Sequence, residues 1–303
     1  MKVLVTGGTG EVGETVVEHL RQRNSVRVAD IRVPQPKDRS GDVEWIACDL
    51  TDQDAADAVV SGQDAVIHLA AIPNSFVEKG PEILRTNVLS CYTVAEASRK
   101  AGVRKVIYAG SDSGLGFGIR RVKHKPQYLP IDGNHPCWPH ESYSLSKYFG
   151  ERLFEEYARA FLIPTLSIRL LYVLLEKRCK DEFLVALSNR GVESTADWMG
   201  GYVMPRDVAG IMESALSYDV AAAAPDFPYA AFFAHAPDTL NALYTKRTTL
   251  EQAAAIWGSA PPVARPGFYE KNPYAPFFDI ESVKDKLGYE PRFTFRDYRY
   301  FSE

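Results

Sequence analysis

Tyr143 and Lys147 stand four residues apart in Glu141-Ser142-Tyr143-Ser144-Leu145-Ser146-Lys147, a spacing that puts both side chains on one face of a helix. Such a pair could move a proton. A tyrosine is a poor base at neutral pH, because its unperturbed pKa is about 10, and bringing it near 7 takes roughly 4 kcal/mol. A lysine cation one turn away favours the phenolate. Taken alone the spacing is common and reads equally well as decoration of a helix surface, so its meaning depends on the rest of the chain.

The second constellation lies at the start. Lys2-Val3-Leu4-Val5-Thr6 is a short β-branched run that reads as a buried strand. It enters Gly7-Gly8-Thr9-Gly10-Glu11-Val12-Gly13, after which Val12, Val16, Val17 and Leu20 recur at helical spacing. Strand, glycine turn and helix together make a phosphate-binding loop. Gly7 permits the tight turn, Gly10 lets the backbone approach a pyrophosphate, and Gly13 lets the helix pack closely on the strand. Free N–H groups at the helix start face the anion. The next strand, Val26 to Asp30, ends in an acid 17 residues past Gly13, near the ~20 expected of a carboxylate that holds an adenosine ribose. Gly7, Gly10, Glu11, Val12, Gly13, Asp30 and Ile31 are therefore the candidate dinucleotide contacts. Asp30 accepts from a ribose 2′-OH and repels a 2′-phosphate, so NAD is expected rather than NADP. Arg32 could meet such a phosphate, but a solvated loop arginine is the simpler reading. The positive charge of an oxidised nicotinamide would add to that of Lys147 in favouring phenolate.

These residues must be positioned by something, and the chain supplies a regular alternation. Strands are expected at Val43–Ala47, Ala65–Leu69, Lys105–Ala109 and Pro164–Arg169, with helices at Asp52–Ser61 (Ala55, Ala58 and Val59 inward), Pro81–Lys100 and Glu141–Ala160. The fold class implied is α/β, a Rossmann-type doubly wound parallel sheet, in which ligands bind beyond the carboxyl ends of the strands. Past residue 172 the alternation degrades, and only Ala230–Ala234 suggests another strand. Residues 1–172 read as the nucleotide-binding domain and 173–303 as a smaller substrate-binding region.

Composition bounds the function. The chain has 303 residues, 46% hydrophobic and 24% charged, with a net charge of −4, which gives no reason to expect nucleic acid or an anionic membrane as partner. No apolar run reaches the ~18 residues of a membrane span. The scattered Cys48, Cys91, Cys137 and Cys179 have no metal or redox spacing, so no metal is expected. A cytoplasmic enzyme with reduced thiols is the expectation.

Together, Thr6-Gly7-x-x-Gly10-x-x-Gly13, Asp49-Leu50, His68-Leu69-Ala70-Ala71, Asn87, Ser111 and Tyr143-x-x-x-Lys147 resemble an extended short-chain dehydrogenase/reductase of the NAD-dependent epimerase/dehydratase group. The resemblance covers residues 1 to about 170 and thins to Arg206-Asp207-Val208-Ala209 and Asp279–Pro291. It implies that Tyr143 is the general acid/base on a substrate hydroxyl or carbonyl, with Ser111 bonding the same oxygen. Lys147 would bind the nicotinamide ribose and bias the phenol. Asp49 and Leu50 would flank the adenine, and Leu69, Ala70 and Ala71 would line the cofactor. Asn87 would be either a structural residue on the cofactor side or part of a proton relay. Pairing of the two long helices across a homodimer is implied as well.

The departures from the group's patterns bear on substrate. Ser111-Asp112-Ser113 lacks the glutamate that sugar-nucleotide dehydratases need to eliminate water. Ser-x-x-x-x-Gly-Phe at Ser111–Phe117 is similar to uronate dehydrogenases, yet Asp112 would repel a substrate carboxylate unless paired. Ser75, Ser111, Asp112, Ser113 and Arg169 are the candidate substrate contacts, Arg169 as an anion contact at a strand end. Arg206 and Arg265 are possible diphosphate ligands by position. The basic knot Arg120–Lys125 reads as a clamp for an anion or, more simply, as a solvated loop. Trp198, Tyr202, Phe268, Tyr269, Phe277 and Phe278 read as core rather than sugar platform. The function implied is hydride transfer at a secondary alcohol or hemiacetal carbon of a sugar or sugar acid, net oxidation before epimerisation of a nucleotide sugar. A non-catalytic redox sensor on the same fold is the remaining class, although such proteins usually lose the tyrosine or the lysine.

Overall fold

The computed structural model describes residues 1–35, 41–73, 79–117, 124–179, 200–240 and 246–298. Strands β1 (Lys2–Thr6), β2 (Ser25–Asp30), β3 (Val43–Ala47), β4 (Ala65–His68), β5 (Lys105–Ser111), β6 (Thr165–Leu170) and β9 (Tyr229–Ala234) form one sheet in the order β3-β2-β1-β4-β5-β6-β9. Every pairing in it is parallel. All seven segments expected as strands lie in this sheet. The short strands β7 (Tyr172–Val173) and β8 (Tyr202–Val203) pair separately.

Period-two alternation sorts the side chains into two layers. Val3 and Val5 face one way, against Val16, Val17 and Leu20 of α1 (Glu11–Leu20). Leu4 faces the other way, into a cluster with Ala56, Val59 and Val60 of α2 (Gln53–Val60), Cys91 and Val94 of α3 (Gly80–Ala101) and Phe154 of α4 (Ser142–Phe161). The inward face of α2 is thus Ala56, Val59 and Val60, one residue on from the expected Ala55 and Ala58. Asp52 caps that helix by accepting from the Ala55 N–H at 2.9 Å, which fixes the register of its first turn.

The chain beyond residue 172 returns to the sheet twice. It supplies β9 at the edge, and it supplies α5 (Pro205–Ser217), whose Val208, Ile211, Met212 and Ala215 complete the α1 layer. Asp207 in α5 accepts from the Tyr289 hydroxyl at 2.7 Å and from the Arg292 and Phe293 N–H groups at 3.0 and 2.9 Å, tying α5 to the segment after Gly288.

The sheet order reverses between β1 and β4, which leave in opposite directions toward α1 and toward α3. The loops after these two strands therefore separate and open a crevice. No helix among the described residues is long and apolar enough to cross a membrane.

Candidate active site

The crevice is a cleft of about 1140 Å³. Gly7, Gly10, Glu11, Val12, Gly13, Asp30, Ile31, Asp49, Leu50, Leu69, Ala70 and Ala71 all line it, so the structure gathers every expected cofactor contact of the first three β–α units in one place. The turn needs its glycines. Gly7 has φ +70° and a Cβ there would lie 2.7 Å from the Ala70 backbone, while a Cβ on Gly13 would lie 2.2 Å from the Gly7 carbonyl oxygen. The start of α1 can consequently sit tight against the cleft floor with its first-turn N–H groups on the open side. Asp30 is fixed at the rim, its Oδ2 accepting from the Thr9 N–H at 3.2 Å and its Oδ1 from the Arg32 N–H at 3.4 Å. On the facing rim Asp49 accepts from the N–H and hydroxyl of Thr51 at 2.9 and 2.8 Å. Those bonds, with the Arg85 cation nearby, hold its carboxyl below the usual range. The donor and acceptor set fits a dinucleotide: backbone N–H groups for a diphosphate, carboxylates for ribose and adenine, apolar walls between them.

Sequence reasoning missed one wall. Pro81, Glu82, Arg85, Thr86 and Ser90 of α3 also line the cleft. Their signal was the helical spacing of 82, 85, 86 and 90, a polar stripe beside the apolar one that fixed the helix.

Asn87 does not line the cleft. It is buried, and its side-chain amide clamps Ile72, with Oδ1 accepting from the Ile72 N–H at 2.7 Å and Nδ2 donating to the Ile72 carbonyl at 3.2 Å. Nδ2 also donates to Ser146 Oγ at 3.0 Å. Asn87 thereby ties the cleft wall to α4.

That helix carries the proton-transfer pair. Glu141 caps it, accepting from the Tyr143 and Ser144 N–H groups at 2.7 and 2.6 Å, and so sets where the first turn points. Ser111 lies close enough to Tyr143 for its hydroxyl to favour the phenolate, while its Oγ bonds Asp112 Oδ1 at 3.3 Å. Lys147 is buried, with Nζ 6.0 Å from the Tyr143 ring centre and donating to the Ala109 carbonyl at 2.9 Å. Burial pulls its pKa down to about 8.

Without the cofactor charge, burial first and the Asp112 charge second push the Tyr143 phenol well above its ordinary value, with only Ser111 opposing them. Asp112 is itself pushed up to about 6 by burial, against hydrogen bonds from Ser111 and Ser113. In the protein alone, then, Tyr143 is held protonated.

The remaining substrate candidates divide. Ser113 donates its N–H to Ser111 Oγ at 3.2 Å, and its own hydroxyl is buried without a partner. Arg169 departs from expectation. It is only 3% exposed and clasps Glu151 through Nε and Nη2 at 2.9 and 2.7 Å. Position parity along β6 puts Ser167 and Arg169 on the α4 face, and neither lines the cleft. Arg206 pairs with Glu176 at 3.2 Å, and Arg265 with Asp279 at 3.1 Å; neither lines the cleft. Tyr202, Phe268, Tyr269, Phe277 and Phe278 are buried core. Ser75, Arg120–Lys123 and Trp198 lie outside the described residues. His68, the last residue of β4, is neutral core: burial pulls its pKa to about 3, and Nδ1 pairs with Thr6 Oγ1 at 2.8 Å. The four cysteines are free, and no group of metal-binding side chains occurs among the described residues.

The sequence model of the NAD dependent epimerase/dehydratase family matches residues 3–192. The chain belongs to this family. It is 34% identical over 171 residues to a uronate dehydrogenase of Pseudomonas syringae pv. tomato, a match covering 56% of this chain and 58% of that protein. It is 33% identical over 172 residues to a putative UDP-glucose 4-epimerase of Methanocaldococcus jannaschii, covering 55% and 54%. The match thus spans somewhat over half the length of these curated relatives. Among solved structures, a short-chain dehydrogenase/reductase superfamily protein from Agrobacterium tumefaciens with bound NAD shares the fold. It superposes with a TM-score of 0.69 at 22% identity, covering 98% of this chain and 94% of that one.

Proposed function

We propose that this protein is an NAD-dependent dehydrogenase acting on a secondary alcohol or hemiacetal carbon of a free sugar. The observation that carries the reading is the convergence of Ser111, Tyr143 and Lys147 at the carboxyl end of β5, joined through Asn87 to the wall of the dinucleotide cleft. Bound NAD supplies the hydride acceptor and a positive charge. Tyr143 takes the proton of the reacting hydroxyl, and Ser111 holds that oxygen in place. Lys147, free to exchange its bond to the Ala109 carbonyl for a ribose hydroxyl, fixes the cofactor and adds a second positive charge. These charges offset the burial and the Asp112 carboxylate that keep the phenol protonated beforehand, so the base forms only in the loaded site.

Asp112 bears on the substrate. Among the described residues no cation lowers its pKa, and a second carboxylate beside it would be repelled. A neutral sugar suits this site better than a uronate. A second reading, epimerisation of a nucleotide sugar with NAD retained, is favoured by the likeness to the M. jannaschii relative. It lacks a ready diphosphate contact, because Arg206 and Arg265 are both held by acids.

A homodimer is part of the proposal. Leu89 and Tyr92 of α3 and Phe149 and Phe161 of α4 are exposed on two helices that pack side by side, an apolar surface suited to a second copy. A cytoplasmic setting is proposed with it.

The deciding experiment mixes protein and NAD with free aldoses, uronic acids and nucleotide sugars and follows NADH absorbance. A steady rise with a neutral aldose is expected. Epimer formation from a nucleotide sugar without any rise would establish the second reading instead.

A further inference from the structure

Two cations line the dinucleotide cleft, Arg32 beside Asp30 and Arg85 on α3. Arg85 is exposed, so its guanidinium is open to whatever fills the cleft. Among the described residues it takes part in no hydrogen bond or ion pair. It is therefore a charged, accessible group on the wall that the fold itself does not use.

Its place along the cleft follows from how α3 is anchored. Thr93 Oγ1 donates to the Leu50 carbonyl, and Gln53 Nε2 donates to the Thr93 carbonyl at 3.2 Å. These bonds fix the flank of α3 against the loop that follows β3. Ser90 and Thr86 continue from Thr93 at helical spacing, with Arg85 beside Thr86, and all three line the cleft. The Asp49 carboxyl, at the end of that same loop, feels the Arg85 charge. Arg85 thus belongs to the β3 side of the cleft.

The strand order says which part of a dinucleotide lies there. The diphosphate sits over the glycine turn after β1, and the acid after β2 takes the adenosine ribose. In the order β3-β2-β1 the next place is the end of β3, two strands or roughly 10 Å from β1. That place is left for the adenine. Leu50 offers an apolar surface to the base, and Asp49 an acceptor for its amino group. A second face of the ring still needs cover, and a guanidinium is the cation suited to it, because it is planar and stacks on aromatic rings. We propose that Arg85 is a cofactor-binding residue whose guanidinium stacks on the adenine of NAD.

The inference rests on NAD in the cleft and not on the sugar chemistry, so it is tested by binding. Calorimetric titration of the full chain with NAD and with ADP-ribose gives the readout. Arg85→Ala should weaken both ligands by the same factor, about tenfold. Arg85→Lys keeps the charge without the plane and should remain clearly weaker than wild type. Because Arg85 is exposed and unbonded, the thermal midpoint without ligand should match wild type in both variants, which separates lost affinity from lost fold. Unchanged NAD affinity in Arg85→Ala would overturn the proposal. Full recovery in Arg85→Lys would also do so, since charge alone would then suffice, as for a diphosphate contact. A loss for NAD with ADP-ribose unaffected would move Arg85 to the nicotinamide end and overturn it equally. A wild type that binds neither ligand would remove the dinucleotide cleft itself, a failure distinct from that of the stacking contact.

Discussion

Ser111 Oγ and Asp112 Oδ1 lie 3.3 Å apart, so the hydroxyl that reaches the Tyr143 phenol also reaches a partly buried carboxyl. The three groups titrate as neighbours. Asp112 is pushed up to about 6, and its negative charge is one of the influences that hold the phenol proton on. Asp112→Asn removes that charge and keeps the shape. The activity profile of the variant should rise at lower pH than that of the wild type, because the phenol deprotonates more readily. The folded-state pKa of Asp112 is raised, so its contribution to stability is greatest when protonated and is lost as pH climbs through about 6. The variant should therefore gain in melting temperature relative to wild type above that pH. An unchanged activity profile would remove Asp112 from the proton economy of the site.

Tyr143→Phe should lower kcat/KM by about 10²–10⁴-fold, the usual contribution of a positioned acid/base. NAD affinity should be nearly unchanged, since the cleft residues do not include Tyr143. Stopped-flow single turnovers and NAD fluorescence quenching separate the two effects.

Asp30 is held by two backbone N–H groups at the cleft rim. Asp30→Ser should raise KM for NAD about tenfold, roughly 1.4 kcal/mol, and lower it for NADP. Steady-state kinetics with both cofactors check this; a variant equally poor with NADP would mean that Asp30 does not face the ribose.

Glu151→Gln leaves Arg169 buried beside a neutral amide and should destabilise the fold by about 3–5 kcal/mol, read by urea denaturation. In the wild type, burial would raise the Glu151 pKa, but the Arg169 guanidinium outweighs it and holds the carboxyl near 2. The pKa is depressed, so this stability is fully present above about 4.5 and lost as pH falls toward 2.

Phe149→Glu places a charge on the exposed face of α4. Light scattering should show a dimeric wild type and a monomeric variant, with the thermal midpoint little altered.

The sheet and the cleft were legible because three strands of the core are short apolar runs that end at or beside a chemically marked residue: Thr6 before Gly7, Asp30 closing β2 and Ser111 closing β5. Helix α5 was not read as a helix, although Val208, Ile211, Met212 and Ala215 carry the period, because its surroundings are rich in loops and its burial depends on α1, about two hundred residues earlier. The partner of Arg169 was hidden for a related reason. Its position at a strand end suggested a ligand, whereas the structure pairs it with Glu151 of α4, a contact that no local pattern records. The Tyr143 pKa is likewise a property of the surroundings: the spacing to Lys147 is visible in the sequence, the desolvation and the approach of Asp112 are not.

The return of the chain to add β9 and α5 to the main sheet has a consequence for synthesis. When the first 172 residues have left the ribosome, β6 still presents an unpaired edge and the α1 face of the sheet lacks the side chains of Val208, Ile211 and Met212. The dinucleotide cleft is encoded early, yet the layer beneath its glycine turn closes only after residue 217 and the edge only after residue 234. A nascent chain of this protein therefore carries one open edge and one uncovered face while residues 173 to 234 are being added, and the sheet beneath the NAD cleft is complete only once those late elements have docked.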